Sequence, residues 1–147
     1  MIRGLNHVAI STHDIDRLLV FYRDLLGLRV IHDVSWKAGE RKTADIVLGL
    51  QDTALRQVKV AGEGVLIELF EFHNPVGKAN DPDRPMCDAG HAHFCFTVDD
   101  LGGLYETLKG AGTRFHCPPQ RFGMSHTATY ARDPDGNIVE FIEPAGE

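Results

Sequence analysis

The sequence has little of what most often announces a function. Its three cysteines, Cys87, Cys95 and Cys117, are odd in number and form no C-x-x-C pair. That argues against a disulfide framework or a thiolate zinc site and fits a reducing compartment, read here as the cytoplasm. No run approaches the roughly 18 consecutive apolar residues that a membrane span needs. Residues 1–7 hold no apolar core of a signal peptide, because Arg3 and His7 interrupt them. Lys and Arg number 15 against 21 Asp and Glu, a net charge of −6 with no basic cluster. Such a chain suits neither a phosphate backbone nor an anionic lipid surface, so no nucleic acid and no membrane are expected as partners. There is no P-loop, no G-x-G-x-x-G, no H-E-x-x-H and no G-x-S-x-G, which leaves nucleotide-driven, zincin and serine-hydrolase chemistry without support. What is present is an ordinary globular composition over 147 residues, 43% hydrophobic and 24% charged, enough for one domain with a proper core. The one oddity is eight histidines, whose placement decides whether they matter.

Periodicity organises the chain. Residues 5–11 alternate, with Val8 and Ile10 on one face and His7, Ala9 and Ser11 on the other, the period of a strand. Asp14 is placed as an N-cap; Ile15, Leu18, Leu19, Tyr22, Leu25 and Leu26 follow at helical spacing, and Gly27 is the stop. Residues 28–34 read as a second strand. Residues 37–50 fit either a helix (Ala44, Val47, Leu48) or a strand (Ile46, Leu48, Leu50), and we read them as a helical insert. Residues 56–60 and 65–72 read as two strands joined by the turn at 61–64. Residues 74–89, with Pro75, Pro82 and Pro85, form an extended connector. The pattern then restarts: a strand over 91–98, a helix from about 101 to 109 capped by Asp99 or Asp100, strands near 113–116 and 127–132, and a turn at Asp133-Pro134-Asp135-Gly136-Asn137 leading into a last strand over 138–143.

The restart is an internal repeat. With His7 laid on His93, Asp14 falls on Asp100 and Ile15 on Leu101; near the ends of the halves, Ile67-Glu68-Leu69-Phe70-Glu71 matches Val139-Glu140-Phe141-Ile142-Glu143. His7 to Glu68 spans 61 positions and His93 to Glu140 spans 47, the surplus falling about where the 37–50 insert sits. The single domain is therefore expected to hold two modules, residues 1–73 and 90–147, joined by a linker at 74–89, each strand–helix–strand–strand–strand. Each module carries a His on its first strand and a Glu on its last, on the face away from the apolar side chains that must pack under the helix. Titratable groups on such a face need pairing or a metal. His7, Glu68, His93 and Glu140 make an N₂O₂ set suited to one divalent ion of Zn, Ni, Co, Fe or Mn. Glu71 and Glu143 repeat as well but lie on the opposite strand face and read as edge or surface charges. His91 competes with His93 through its H-x-H spacing, and the repeat favours His93.

Four segments together resemble the vicinal oxygen chelate superfamily, which groups glyoxalase I, methylmalonyl-CoA epimerase, extradiol dioxygenases and the fosfomycin and bleomycin resistance proteins. They are Leu5-Asn6-His7-Val8-Ala9-Ile10, Phe21-Tyr22-Arg23-Asp24-Leu25-Leu26-Gly27-Leu28, Gly90-His91-Ala92-His93-Phe94-Cys95-Phe96-Thr97-Val98 and Asp133-Pro134-Asp135-Gly136-Asn137-Ile138-Val139-Glu140-Phe141. The resemblance implies an α+β fold of two paired βαβββ modules forming an open, U-shaped mixed sheet around a metal, with His7, Glu68, His93 and Glu140 as ligands. It also implies a homodimer, a small-molecule substrate chelated through neighbouring oxygens, and a proton moved by a carboxylate through an enediolate-like intermediate. Glu140 is then the expected ligand and general base, with Glu68 its mirror image. The His/Glu/His/Glu order resembles glyoxalase I, so a metal-dependent lyase or isomerase acting on a small substrate, a thioester or a hemithioacetal is the expected activity.

Two alternatives are an Fe(II) extradiol ring-cleaving dioxygenase, for which residues 130–140 resemble part of the signature, and a metal-independent small-molecule binder of the antibiotic-sequestering kind. His126 and Tyr130 share a strand face and are candidate contacts to substrate, together with His91 and with Arg121 in a loop after Pro118-Pro119. Cys95 is read as a small core filler.

Overall fold

The computed structural model describes residues 1–146. The chain divides into two compact units, Met1–Ala79 and Asn80–Glu147. Segment 74–89 is thus shared: its first residues belong to the first unit and the rest are tied into the second. There the Arg84 guanidinium donates to the carbonyls of Asp88, Ala89 and His91, while Arg114 holds Asp83 and the Pro82 carbonyl.

In the first unit the elements are β1 (Val8–Thr12), α1 (Ile15–Leu19), which runs on as a π-helical turn over Val20–Leu25, β2 (Arg29–Trp36), α2 (Lys42–Leu48), β3 (Ala54–Gly62) and β4 (Val65–Asn74). The sheet order is β1-β4-β3-β2, with β1 parallel to β4 and the remaining pairs antiparallel. Alternation puts Ile10, Leu69 and Val58 in register on one face, next to Ile67 and Val60. All five are buried together with Ile15, Leu18, Leu19, Phe21 and Tyr22 of the helical segment. Each such side chain contributes about 1.5–3 kcal/mol by leaving water. Gly27 ends the helical segment with φ 75°, the left-handed conformation that glycine adopts without strain.

The second unit repeats the plan with β5 (Phe94–Thr97), α3 (Leu101–Gly110), β6 (Arg114–Phe115), β7 (Gln120–Phe122), β8 (His126–Arg132) and β9 (Ile138–Pro144). The order β5-β9-β8-β6, with β7 also on β8, again makes the first and last strands parallel neighbours. Here Phe94 and Ala131 flank Val139, and Phe96 and Thr129 flank Phe141, on the face covered by Leu101 and Leu108. Both units are mixed sheets with few helices, so the α+β reading holds; the first sheet has the expected four strands, and the second adds β7 as a fifth.

Several local expectations are corrected. Strands β1 and β5 start at Val8 and Phe94, not at 5 and 91, so His7 and His93 each stand one residue before their strand. The 37–50 insert is helical, but α2 buries none of its residues, and Ile46 and Val47 are each 80% exposed. Its two-way hydrophobic pattern was ambiguous because this helix packs no apolar stripe. Arg121 and Phe122 lie on β7 rather than in a loop. Glu71 and Glu143 are not simple surface charges: Glu71 Oε2 accepts from the Ile15 amide at 3.0 Å and Glu143 Oε2 from the Leu101 amide at 2.7 Å. Asp14 and Asp100 accept from the Arg17 and Gly103 amides of the same helical turns. Helices α1 and α3 therefore each begin with two carboxylates on amides that have no intrahelical partner, where the helix dipole also favours negative charge.

Candidate metal centre

The parallel pairing of first and last strands is what joins each His to its Glu. In the first unit Ala9 lies opposite Glu68, on the face away from Ile67 and Leu69, and His7 precedes β1 on that side. His7 Nε2 comes to 3.3 Å from Glu68 Oε2. In the second unit Cys95 lies opposite Glu140, and His93 Nε2 is 3.1 Å from Glu140 Oε2. The same pair of atoms meets in both halves. Two donors bound to one ion at about 2.0–2.2 Å, with a right or tetrahedral angle between them, lie roughly 2.8–3.6 Å apart. Both separations fall inside that window. The donor chemistry also fits: His7 Nδ1 is 2.8 Å from Asn6 Oδ1, and a neutral imidazole with its proton on that nitrogen would turn the Nε2 lone pair to the carboxylate. Two acceptors facing each other suit a cation between them, and the Asn6 contact is the outer support that metal-bound imidazoles commonly have.

The pairs differ in what surrounds them. Glu68 is buried, and its other oxygen, Oε1, is taken by Lys59 Nζ at 2.6 Å and by Gln57 Nε2 at 3.2 Å. Both donors come from β3, where Lys59 stands directly opposite Glu68. The residue in the same register position of the second unit is Tyr130, opposite Glu140 on β8. Its ring meets the His93 ring edge-on at 5.2 Å and lies against His116 at 6.0 Å. Burial, and then its hydrogen bond with Glu140, raises the Tyr130 hydroxyl above its ordinary range. Loss of hydration, followed by the Glu140 charge, pushes the Cys95 thiol up to about 12. Both groups stay protonated at neutral pH and face the carboxylate as neutral donors. Burial and the Arg132 charge lower His116, which keeps that ring uncharged. His93 Nδ1, unlike its counterpart in His7, is buried without a hydrogen-bond partner.

Among the described residues no group of three or more His, Cys, Asp or Glu side chains is gathered as a metal would require. Within each unit the structure brings one expected pair together, His7 with Glu68 and His93 with Glu140. Of the other sequence candidates, Tyr130 sits beside both members of the second pair. His126 is on the same face of β8, its ring stacked on Phe122 at 5.0 Å and its Nδ1 2.7 Å from Ser125 Oγ. Arg121 pairs with Thr127 on the opposite face of the sheet, and its Nε donates to the Gly123 carbonyl; it does not join Tyr130 and Glu140. His91 is exposed, with its ring 6.5 Å from that of Phe94, whose side chain faces the helix side. Cys95 is exposed on the Glu140 side rather than filling the core. Sequence reading missed Lys59, Gln57, Asn6 and His116. Asn6 alone carried a local signal, as the amide neighbour of a candidate ligand.

Comparison with known proteins meets this geometry from outside. The chain is 27% identical over 148 residues to a lactoylglutathione lyase of Schizosaccharomyces pombe, an alignment covering 94% of this chain and 46% of that protein, so the chain spans about half the length of that relative. It is 31% identical over 114 residues to an ethylmalonyl-CoA/methylmalonyl-CoA epimerase of Cereibacter sphaeroides, covering 78% of this chain and 75% of that one. A crystal structure of a glyoxalase family protein from Bacillus cereus superposes with a TM-score of 0.89 at 22% identity, covering 99% of this chain and 97% of that one, a likeness of fold. Residues 4–141 match the family model as a whole. With both His–Glu pairs inside the matched span, the chain belongs to the Glyoxalase/Bleomycin resistance protein/Dioxygenase superfamily.

Proposed function

We propose that the protein is a metal-dependent lyase or isomerase of the glyoxalase type, in which His7, Glu68, His93 and Glu140 hold one divalent ion and Glu140 moves the proton. The observation that carries this reading is the doubled contact of imidazole Nε2 with carboxylate Oε2, at 3.3 Å and 3.1 Å. A divalent ion bound there would supply Lewis-acid polarisation of neighbouring oxygens on a small substrate. The remaining work falls to side chains. Glu68 is held through Oε1 by a cation and an amide, which suits a carboxylate that stays in place. Glu140 has, besides His93, the neutral neighbours Tyr130 and Cys95, which suits a carboxylate that takes and returns a proton. Relatives named lactoylglutathione lyase and ethylmalonyl-CoA/methylmalonyl-CoA epimerase are in keeping with a lyase or isomerase. The reading includes a cytoplasmic homodimer; three free cysteines agree with a reducing compartment. No helix among the described residues is long and apolar enough to cross a membrane.

The test is element analysis of the purified protein, then a screen of hemithioacetals and α-carbonyl thioesters with each candidate metal, and sedimentation for the dimer. Glu140→Gln should leave the thermal unfolding profile in place and lower kcat by about 10²–10⁴. Turnover close to that of the unsubstituted protein would remove Glu140 as base. Oxygen uptake with catechols on Fe(II) would move the assignment to ring cleavage.

A further inference from the structure

The pair in the first unit holds a cation of its own. Glu68 is 7% exposed, and a carboxylate that far from water requires a counter-charge. Lys59 provides it, 2.6 Å from Oε1, with its stem on β3 and its side chain one-third exposed. Glu140, the register equivalent, has Tyr130 in that position and, among the described residues, no Lys or Arg in its ion pairs. We infer that Lys59 is a tethered counter-cation that sets the metal affinity of the site, holding it below what the four ligands alone would give. The inference rests on the ligand roles proposed above and extends them to a residue outside the ligand set.

The physical argument is a competition for one carboxylate. A metal ion on Glu68 Oε2 would share that group with an ammonium on Oε1. Each cation gains from the carboxylate charge, and each repels the other across a few ångströms of partly desolvated space, where Coulomb terms are strong. Gln57, which also donates to Oε1, can hold the carboxylate's orientation without any such repulsion. Removing the ammonium therefore takes away a repulsive neighbour while one positioning hydrogen bond remains. Lys59 acts here as a positioning residue: it keeps the buried carboxylate compensated before metal arrives and makes the metal exchangeable afterwards.

The experiment uses metal-stripped full-length protein titrated with Zn²⁺ against a chromophoric chelator, and with Co²⁺ followed by visible absorbance. Lys59→Met should bind Zn²⁺ at least about tenfold more tightly than the unsubstituted chain, the scale of effect that outer partners have on metal sites. Lys59→Arg, which keeps the charge, should restore ordinary affinity, and Lys59→Gln should follow Met if the Met variant fails to fold. In a Glu68→Gln background the gain should vanish, because the two substitutions act through one contact. Unchanged or weaker binding by Lys59→Met, or a gain that persists in the Glu68→Gln background, overturns the inference while leaving the metal reading intact. Absence of Zn²⁺ and Co²⁺ binding by every variant overturns both.

Discussion

The two halves of this chain share a plan and differ where charge is placed. Each sets a His just before its first strand and a Glu on its last, with Nε2 facing Oε2 at 3.3 Å in one and 3.1 Å in the other. Each also ties its helix to the last strand by a second Glu. Around Glu68, however, stand Lys59 and Gln57, and around Glu140 stand Tyr130 and Cys95. The repeated parts build the unit, and the parts that diverge differentiate two carboxylates that the repeat would otherwise make equivalent. The unlike roles proposed for the two carboxylates would thus come from the neighbouring strand, β3 or β8, with the same residue types at the proposed ligand positions.

The sharpest way to break this comparison is to neutralise the two carboxylates in turn. Glu140→Gln should lower kcat by about 10²–10⁴, whereas Glu68→Gln should act first on metal affinity, by about 10–100-fold. Steady-state kinetics at saturating metal, set beside a metal titration, separates the two; equal losses in both variants would mean that the halves are functionally alike. Next in size is Gly136→Ala. Gly136 has φ 84°, and a Cβ there would run into the Pro82 backbone, so left-handed strain and overpacking add to about 2–4 kcal/mol. Thermal unfolding should show a fall of several degrees. Gly27→Ala in the first unit, with φ 75° and open space around it, should lose only about 1 kcal/mol.

The helix anchors should behave alike in both halves. Glu71→Gln and Glu143→Gln each weaken one charged acceptor at a helix start, and each should cost about 0.5–1.5 kcal/mol in a denaturant titration. A large difference between them would show that the repeat is only superficial at that point. The smallest effect belongs to a feature the first unit has alone. Arg56 donates to both Asp16 and Asp33, and its hydrogen bonds hold the Asp33 carboxyl below its ordinary value of 3.8. A lowered native value means that the contribution is complete above that pH and is lost as pH falls through the lowered value. Arg56→Met should therefore lower stability by about 0.2–1 kcal/mol at pH 7 and flatten the acid limb of the stability profile.

Much of the architecture was legible because the repeat compares the chain with itself. His7 with His93, Glu68 with Glu140 and Asp14 with Asp100 could be aligned before any coordinate was known, and each pair occupies matching places. Lys59 could not be read in that way. In Arg56-Gln57-Val58-Lys59-Val60 a lysine alternating with valines has the pattern of a solvent face, and only the β3–β4 register places it on Glu68. The same holds for Glu71 and Glu143: the repeat revealed them, but the amides they meet lie 56 and 42 positions away. Strand starts were placed too early because alternation continues past the point where a partner strand is available to pair. The loop placement of Arg121 failed for a related reason, since a segment read as loop has no assigned face until β7 is seen pairing with β8.

One spacing has a practical consequence. On β4 and on β9 a Glu that faces the His is followed three residues later by the Glu that grips the helix, on the opposite side of the strand. The carboxylate proposed for the chemistry and the one that anchors the helix thus share one four-residue cassette. A chimera that exchanges whole units with a relative need keep only that cassette in register with the first strand to transplant both at once.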